Sequence, residues 1–313
     1  MISARQTIHT TFLFVLPIIV AVFGLSVWSA IGLTIAALLW RWLIVLSRLV
    51  MRDDRPVMVL ETIAASHFAE KARWSLDRLG VDYEETHSGG IVGVMFTGRT
   101  VPRLNFRTGI VRSSIGNSAE ILRFLWGQYA AQLETAAFLE PTTERLELEK
   151  KIDRVGHNLQ VWIYYHLLAE RDLTLRLWGA NSGTVPAWQR LLMRVLFPVS
   201  AAYLRYTLSI TDARYASSTQ HIENLLAEID TLLADGRQSI LGGDELNYTD
   251  ICFASIMGLW LQPPNYGGGA ADAVRVSRNQ LPTPMHDCIE QWSDDYPRAT
   301  AFVMRMFEKE RLR

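Results

Sequence analysis

The chain has 313 residues, a length that accommodates two domains, and a formal net charge of −1. Without an excess of basic residues it lacks the usual signature of nucleic-acid binding, so we expect no nucleic-acid partner. Two cysteines, Cys252 and Cys288, give neither a disulfide framework nor a cysteine metal cluster, and the sequence predicts no metal site.

An apolar segment dominates residues 1–55. From Thr11 to Trp40 no residue is charged, and a single membrane span needs only about 20 apolar residues. The apolar character continues to Val50. The sequence therefore predicts a membrane anchor, either one long transmembrane helix or a hairpin of two short helices, followed by a basic linker.

The charges that flank this segment predict its orientation. Arg41, Arg48, Arg52 and Arg55 follow it, whereas only Arg5 and the amino terminus precede it. Basic residues favour the cytoplasmic side of a membrane span. Both a single span and a hairpin then place the rest of the chain in the cytoplasm, at the membrane.

Alternating elements follow the linker. Val57 to Leu60 reads as a buried strand, and Ala65 to Gly80 reads as an amphipathic helix that ends at a glycine. A second strand begins at Val81. The segments "TVPRLNF" and "GIVRSS" are typical of a β-hairpin. A helix opened by Asn117 or Ser118 completes the order β-α-β, then β-β-α, over residues 56–130.

From Pro141 the pattern is helical almost throughout, which predicts an all-helical domain over residues 140–313. "ERLELEKKIDRVGHNLQVWIYYHLLAER" reads as one long helix and "IENLLAEIDTLLAD" as another. Asn247 and Asp250 form a capping pair before an apolar helix, and we assign them a structural role.

Three stretches carry a resemblance to a known superfamily. They are "SHFAEKARWSLDRLGVDYEE", "TVPRLNF" with "IVRSSIGNSAEILRFL", and "LGGDELNYTDICFAS". In this order they resemble the cytosolic-type glutathione transferases. The resemblance implies an α/β thioredoxin-like domain followed by an all-α glutathione-transferase C-terminal-like domain. The apolar N-terminus lies outside the usual family pattern.

The resemblance implies that Ser66 contacts the glutathione sulfur. His67 is adjacent and polar, which makes it a candidate second donor to the thiolate or the substrate. A free thiol titrates near ~8.5, so a hydroxyl donor and a helix N-terminus suffice to stabilise the thiolate at neutral pH. Alternatively, Ser66 only caps the helix and His67 is an exposed first-turn residue. Ala69 replaces the second cysteine of redox relatives, which excludes a dithiol mechanism at this turn.

The rest of the glutathione site is also implied by the resemblance. The peptide bond between Val101 and Pro102 is expected to be cis, with the Val101 backbone pairing with the cysteinyl part of glutathione. Ser118 is expected to hold the γ-glutamyl carboxylate. Asn117 stands where the family usually has Glu, Asp or Gln, so it brings no charge. For both residues a simple helix cap is the alternative.

The acceptor pocket is predicted on the first long helix of the second domain, at Trp162, Tyr165 and His166. Aromatic residues at helical spacing are also typical of a core, and that alternative stays open.

We therefore expect a membrane-anchored glutathione transferase that joins glutathione, as co-substrate, to a small lipophilic electrophile. A non-catalytic adaptor is an alternative, favoured by Asn117 and by the irregular segment Gly89 to Gly98. A glutathione-dependent isomerase is another. The expected partners are glutathione, the electrophile, the membrane through the N-terminus and, as the fold commonly dimerises, a second copy of the chain.

Overall fold

A computed structural model describes residues 26–50, 57–90, 92, 101–108 and 111–311 of the chain. Its first helix, α1, spans Val27–Val50. Among the described residues, no helix is both long and apolar enough to cross a membrane. The predicted membrane segment is not supported by this finding. Its first part, residues 11–25, lies outside the described residues, as do most of the irregular segment Gly89 to Gly98 and part of the basic linker.

A four-stranded sheet forms the first domain, in the order β2-β1-β3-β4. β2 runs parallel to β1, whereas β3 is antiparallel to both β1 and β4. Leu60 of β1 lies opposite Leu104 of β3, and both are fully buried. The strands are β1 Val57–Thr62, β2 Glu84–His87, β3 Arg103–Thr108 and β4 Val111–Gly116. The predicted β-α-β and β-β-α order is confirmed.

Two helices pack beside this sheet. The helix α2, His67–Leu79, connects β1 to β2 and buries most of its side chains. It ends at Gly80, which adopts a left-handed conformation with φ 69° and thus closes the helix as predicted. The helix α3, Ser118–Tyr129, follows β4. A short 3-10 helix, Glu134–Leu139, then leads into the second domain.

The second domain is all-helical, as expected. Its helices are α4 Thr143–Leu167, α5 Arg171–Leu177, α6 Ala187–Val195, α7 Phe197–Thr207, α8 Asp212–Leu232, α9 Tyr248–Leu261, α10 Thr283–Asp295 and α11 Pro297–Arg305, followed by a π-helical turn Met306–Glu310. The predicted long helix through Arg171 is interrupted, because the Leu167 carbonyl accepts from the Glu170 N–H and from Thr174 Oγ1, which turns the chain.

The helix α9 lies at the centre of the molecule, packed against α2, α4 and α11. Its capping box is confirmed: Asn247 caps the helix, and the Asp250 carboxylate accepts from the Asn247 N–H. The same carboxylate accepts from Ser239 Oγ and the Ile240 N–H at 2.8 Å each. Asp250 thus satisfies buried donors on two segments and has the structural role expected from the sequence.

A second, smaller core occupies the segment between α4 and α8. We call residues 168–210 the helical insertion; it contains α5, α6 and α7. Its buried apolar side chains form a cluster apart from the main core, and the cluster includes Trp178, Met193, Phe197, Ala201 and Leu204. The insertion therefore has its own packing.

Candidate active site

A cavity of about 570 Å³ opens between the sheet domain and the helical domain. This volume lies within the range of small-molecule sites. Six residues that the sequence assigned to the glutathione site line it together: Ser66, His67, Val101, Pro102, Asn117 and Ser118. The fold thus brings three separate segments of the first domain to one place.

Ser66 is the N-cap of α2. Its backbone is extended, and its Oγ accepts from the Ala69 N–H at 3.3 Å. The preceding turn is fixed on both sides, because the Ser66 N–H donates to the Ile63 carbonyl and Tyr266 Oη donates to the Ala65 carbonyl. A hydroxyl that accepts one bond keeps its own O–H to donate. Ser66 is therefore a cap and also a half-buried donor on the cavity wall.

His67 is the first residue of α2 and is only 2 % exposed. Its Nε2 is buried and has no hydrogen-bond partner among the described residues. Burial lowers the pKa of His67 to about 3, the neighbouring His157 adds to this, and the Gly156 backbone partly opposes it. The ring is therefore neutral at physiological pH. The alternative of an exposed first-turn residue is wrong, because Phe68 and α4 cover the ring.

Gly156 explains how closely α2 approaches α4. A Cβ on Gly156 would lie 2.9 Å from Phe68 Cζ and 3.0 Å from Ile256 Cδ1. Contacts that short between carbon atoms are repulsive, so a side chain at position 156 would force the Phe68 ring or the Ile256 side chain to shift. The first turn of α2 is thereby held against the backbone of α4.

The N-terminus of α3 forms the second polar part of the wall. Asn117 adopts φ 71°, and its Oδ1 accepts from the Ala119 N–H at 3.1 Å. Ser118 is 1 % exposed, and its Oγ is buried without a hydrogen-bond partner in the described part of the chain. The first N–H groups of a helix have no intrahelical acceptor. A buried free hydroxyl at a helix N-terminus is suited to an anion.

The peptide bond between Val101 and Pro102 is cis, as the resemblance implied. Both residues line the cavity directly before β3. Residues 93–100, which precede them, lie outside the described part of the chain.

The opposite wall is one face of α4. Five of its residues line the cavity at helical spacing: Asp153, His157, Gln160, Tyr164 and Leu167, with Ile163 beside them. Trp178, Leu177 and Thr174 of the helical insertion and Leu259 of α9 complete the lining. The Trp178 Nε1–H donates to Tyr164 Oη at 3.2 Å, which fixes both rings. This wall combines polar side chains of α4 with apolar side chains of the helical insertion, α4 and α9.

A buried ion network joins the two walls. Lys71 of α2 is fully buried and lies 2.8 Å from Glu149 and 2.9 Å from Asp153, both on α4. Burial raises the pKa of Asp153, while Lys71 opposes this. Arg123 of α3 contacts Glu149 at 3.3 Å. Charged side chains of α2, α3 and α4 are thus in contact with one another next to the cavity.

The predicted acceptor residues do not line this cavity. Trp162 is fully buried and packs against Trp292 with ring centroids 5.1 Å apart. Tyr165 stacks on Tyr215 at 4.0 Å, and His166 Nε2 lies 3.2 Å from Tyr215 Oη. The predicted acceptor pocket is therefore corrected: these three residues lie on the face of α4 that packs against other helices, and a different face of α4 lines the cavity.

The cavity-lining residues of α4 were missed in the sequence. The signal that could have found them is their recurrence at positions 153, 157, 160 and 164, which share one face of a helix. No feature of the sequence indicated that the helical insertion contributes side chains to the cavity wall.

No protein-family model matches the chain, and no curated protein matches it in sequence. Solved structures of glutathione S-transferases are similar in fold. One from Methylobacterium radiotolerans, in complex with glutathione sulfonate, is 17 % identical with a TM-score of 0.49 and covers 81 % of this chain and 92 % of its own. One from Ceriporiopsis subvermispora, with glutathione, is 16 % identical with a TM-score of 0.49, covering 82 % and 98 %.

A third, from Phanerochaete chrysosporium, is 13 % identical with a TM-score of 0.49 and covers 80 % of this chain and 96 % of its own. At these identities and TM-scores the neighbours carry no information about the chemistry of the cavity.

Proposed function

We propose that the cavity binds glutathione and that the chain is a glutathione transferase. The supporting observation is a pair of polar atoms, Ser118 Oγ and His67 Nε2, which are buried at two helix N-termini on one cavity and have no hydrogen-bond partner among the described residues. A buried polar group without a partner costs about 1–3 kcal/mol. A ligand with a carboxylate and other polar groups compensates this cost, and a thiol tripeptide has both.

In this proposal each helix start has its own task. The N-terminus of α3, with Ser118, holds the γ-glutamyl carboxylate. The Ser66 hydroxyl donates to the sulfur and, with the positive end of α2, favours the thiolate over the thiol. His67 is neutral, so it contributes no charge to this stabilisation and instead contacts a polar group of the tripeptide through Nε2.

The second substrate is a lipophilic electrophile. Tyr164, Leu177 and Trp178 offer it an apolar wall opposite the thiolate. The sulfur lone pair forms a bond to the electrophilic carbon, the electron pair of the broken bond leaves with the acceptor's leaving group, and the thiol proton has already passed to solvent. An adaptor without catalysis has no need of a cavity with both walls, which favours the transferase over that alternative.

The test is calorimetric titration of the full chain with glutathione. We expect binding by the wild-type chain and at least tenfold weaker binding by Ser118→Ala, because a hydrogen bond to a charged group is worth about 1.5–3 kcal/mol. Ser114→Ala, on the exposed side of β4, is the matched control and should bind as the wild type does. Equal affinity in all three chains, or no binding by any, would contradict the proposal.

We also propose that the N-terminal segment attaches the protein to a membrane, with the following domains in the cytoplasm. The support is the uncharged run from Thr11 to Trp40 and the arginines that follow it. Retention of the full chain in the membrane fraction after alkaline extraction is the expected result, and complete release would overturn the proposal. The homodimer stays a prediction, to be measured by light scattering.

A further inference from the structure

The outer face of α6 and α7 is apolar. These two short helices form nearly one helix, kinked at Pro198, which lacks the N–H that would bond to the Arg194 carbonyl. Arg171 donates to that carbonyl instead, at 3.2 Å. The inner face of the pair is buried, as expected, and carries Met193, Phe197, Ala201 and Leu204.

The opposite face carries large apolar side chains that are exposed. Leu191, Val195 and Val199 are 61 %, 64 % and 65 % exposed, and Tyr203 and Tyr206 are 45 % and 84 % exposed. Their spacing of four, four, four and three residues keeps them on one side of the helix pair. We call these five residues the outer stripe. A helix that is apolar on both sides needs a second apolar neighbour.

The charges around the outer stripe have one sign. Between Asp172 and Asp212 no acidic residue occurs, and the charged residues are Arg176, Arg190, Arg194 and Arg205. None of these four arginines forms an ion pair with a described residue, although Arg176 donates to Gln280 and the Arg275 carbonyl, and Arg194 donates to the Ala180 carbonyl and Asn181. Arg194 and Arg205 are exposed and lie on the flank of the helix pair between its buried face and the stripe, whereas Arg190 is half-buried.

We propose that the outer stripe docks on the surface of an anionic lipid membrane. A row of Leu and Val with tyrosines, edged by arginines, is the composition of helices that lie in the membrane interface. A second copy of the chain is a poorer occupant. A symmetric dimer brings the same patch of each subunit together, so the positive charges that flank the stripe in the two copies would repel each other.

Docking through the stripe has a consequence for the cavity. The helical insertion also supplies Leu177 and Trp178 to the cavity wall. Its outer side would rest on lipid while its inner side lines the cavity, which shortens the path of an apolar molecule from the membrane. The docking surface itself does not depend on the proposed chemistry.

The experiment uses the full chain with a polarity-sensitive fluorophore at Val199→Cys, in a Cys288→Ser background. Cys252 is buried and is therefore not labelled. The matched control carries the fluorophore at Gln220→Cys, on the exposed side of α8. With vesicles of phosphatidylcholine and phosphatidylserine, we expect a blue shift and quenching by acyl-chain-borne quenchers at residue 199 but not at residue 220.

The charge contribution is tested separately. Arg205→Ala should reduce the docked fraction at limiting lipid by about fivefold, since a basic residue near an anionic surface contributes about 1 kcal/mol. Arg214→Ala, on α8, is the control and should have no effect. An unchanged probe at residue 199 on vesicle-bound protein would overturn the proposal. A shift without lipid that grows with protein concentration would overturn it too, in favour of a second copy.

Discussion

The two walls of the cavity are built in different ways. The wall from the sheet domain consists of chain segments at the starts of α2 and α3, where Ser66 and Ser118 lie beside free backbone N–H groups. The wall from the helical domain consists of side chains from the middle of α4, such as Tyr164, together with the helical insertion. The first wall depends on local backbone geometry, and the second depends on how helices pack.

This difference suggests that the two walls bind different substrates. Helix N-termini offer fixed donors, which suit a ligand of constant structure such as a tripeptide. Side chains in the middle of a helix can be exchanged without changing the fold, which suits a variable second substrate. Lys71 connects the two walls, so their separation can be tested by removing that connection.

The largest expected effect is that of Lys71→Met. Lys71 is fully buried between Glu149 and Asp153, and removing one partner of a buried ion network typically costs about 3–5 kcal/mol. We expect a loss of this size in the free energy of unfolding, measured by denaturant titration.

Lys151→Met is the matched control, on α4, the helix that carries Glu149 and Asp153. Lys151 pairs with Glu228 at the surface, where both side chains are more than 40 % exposed. Such pairs contribute about 0–1 kcal/mol. If the two variants lose similar stability, the two walls are not held together by the buried network.

The next effect concerns the first wall alone. Ser66→Ala should slow transfer by about ten- to a hundredfold at neutral pH, because a hydrogen bond to a thiolate is worth roughly 1.5–3 kcal/mol. The apparent pKa of bound glutathione should rise, so that the rate partly recovers at higher pH. Stability should fall by only about 1 kcal/mol, the cost of a lost cap. A pH–rate profile identical to that of the wild type would show that Ser66 is a cap and nothing more.

The sequence predicted the first wall better than the second for a physical reason. Caps and turns are local, so Ser66, Asn117 and Ser118 could be placed at helix starts from a few neighbouring residues. The burial of His67 could not, because it depends on Phe68 and on the close approach of α4 at Gly156.

The second wall depends on the rotation of α4 about its own axis. The aromatic residues of α4 lie on both faces, and nothing in the sequence says which face meets the first domain. Trp162 was predicted to line the acceptor pocket but lies in the main core. Tyr164, two residues later in the chain, lines the cavity. The helical pattern of the insertion, which supplies Trp178, did not indicate which of its side chains would reach the cavity, because that depends on its separate core.

A third prediction concerns pH and the buried imidazole. The pKa of His67 is lowered to about 3, while an unfolded histidine titrates near 6.5. Below pH 6.5 the unfolded chain therefore binds a proton that the folded chain does not, and stability falls as the pH falls towards 3. Between pH 7 and pH 5 this group alone should reduce the free energy of unfolding by about 2 kcal/mol.

The measurement compares the wild type with His67→Gln, which cannot titrate. Between pH 7 and pH 5 the free energy of unfolding of the variant should fall by about 2 kcal/mol less than that of the wild type. The difference removes the contributions of the other titrating groups. Equal losses in the two chains would mean that the imidazole titrates in the folded chain as it does in the unfolded chain, which would contradict its burial as a neutral ring.

The smallest effect separates the two faces of α4. Tyr164 Oη accepts from Trp178 on the cavity wall, whereas Tyr165 Oη donates to Asp212 outside it, at 2.9 Å. Both hydroxyls can be removed by substitution with Phe, at a cost of about 1 kcal/mol or less in stability. Tyr164→Phe frees the Trp178 ring, so we expect KM for the lipophilic electrophile to change several-fold while KM for glutathione is unchanged. Tyr165→Phe should leave both KM values as they are. If Tyr165→Phe changes the acceptor KM and Tyr164→Phe does not, the acceptor binds on the opposite face of α4, and the cavity serves glutathione alone.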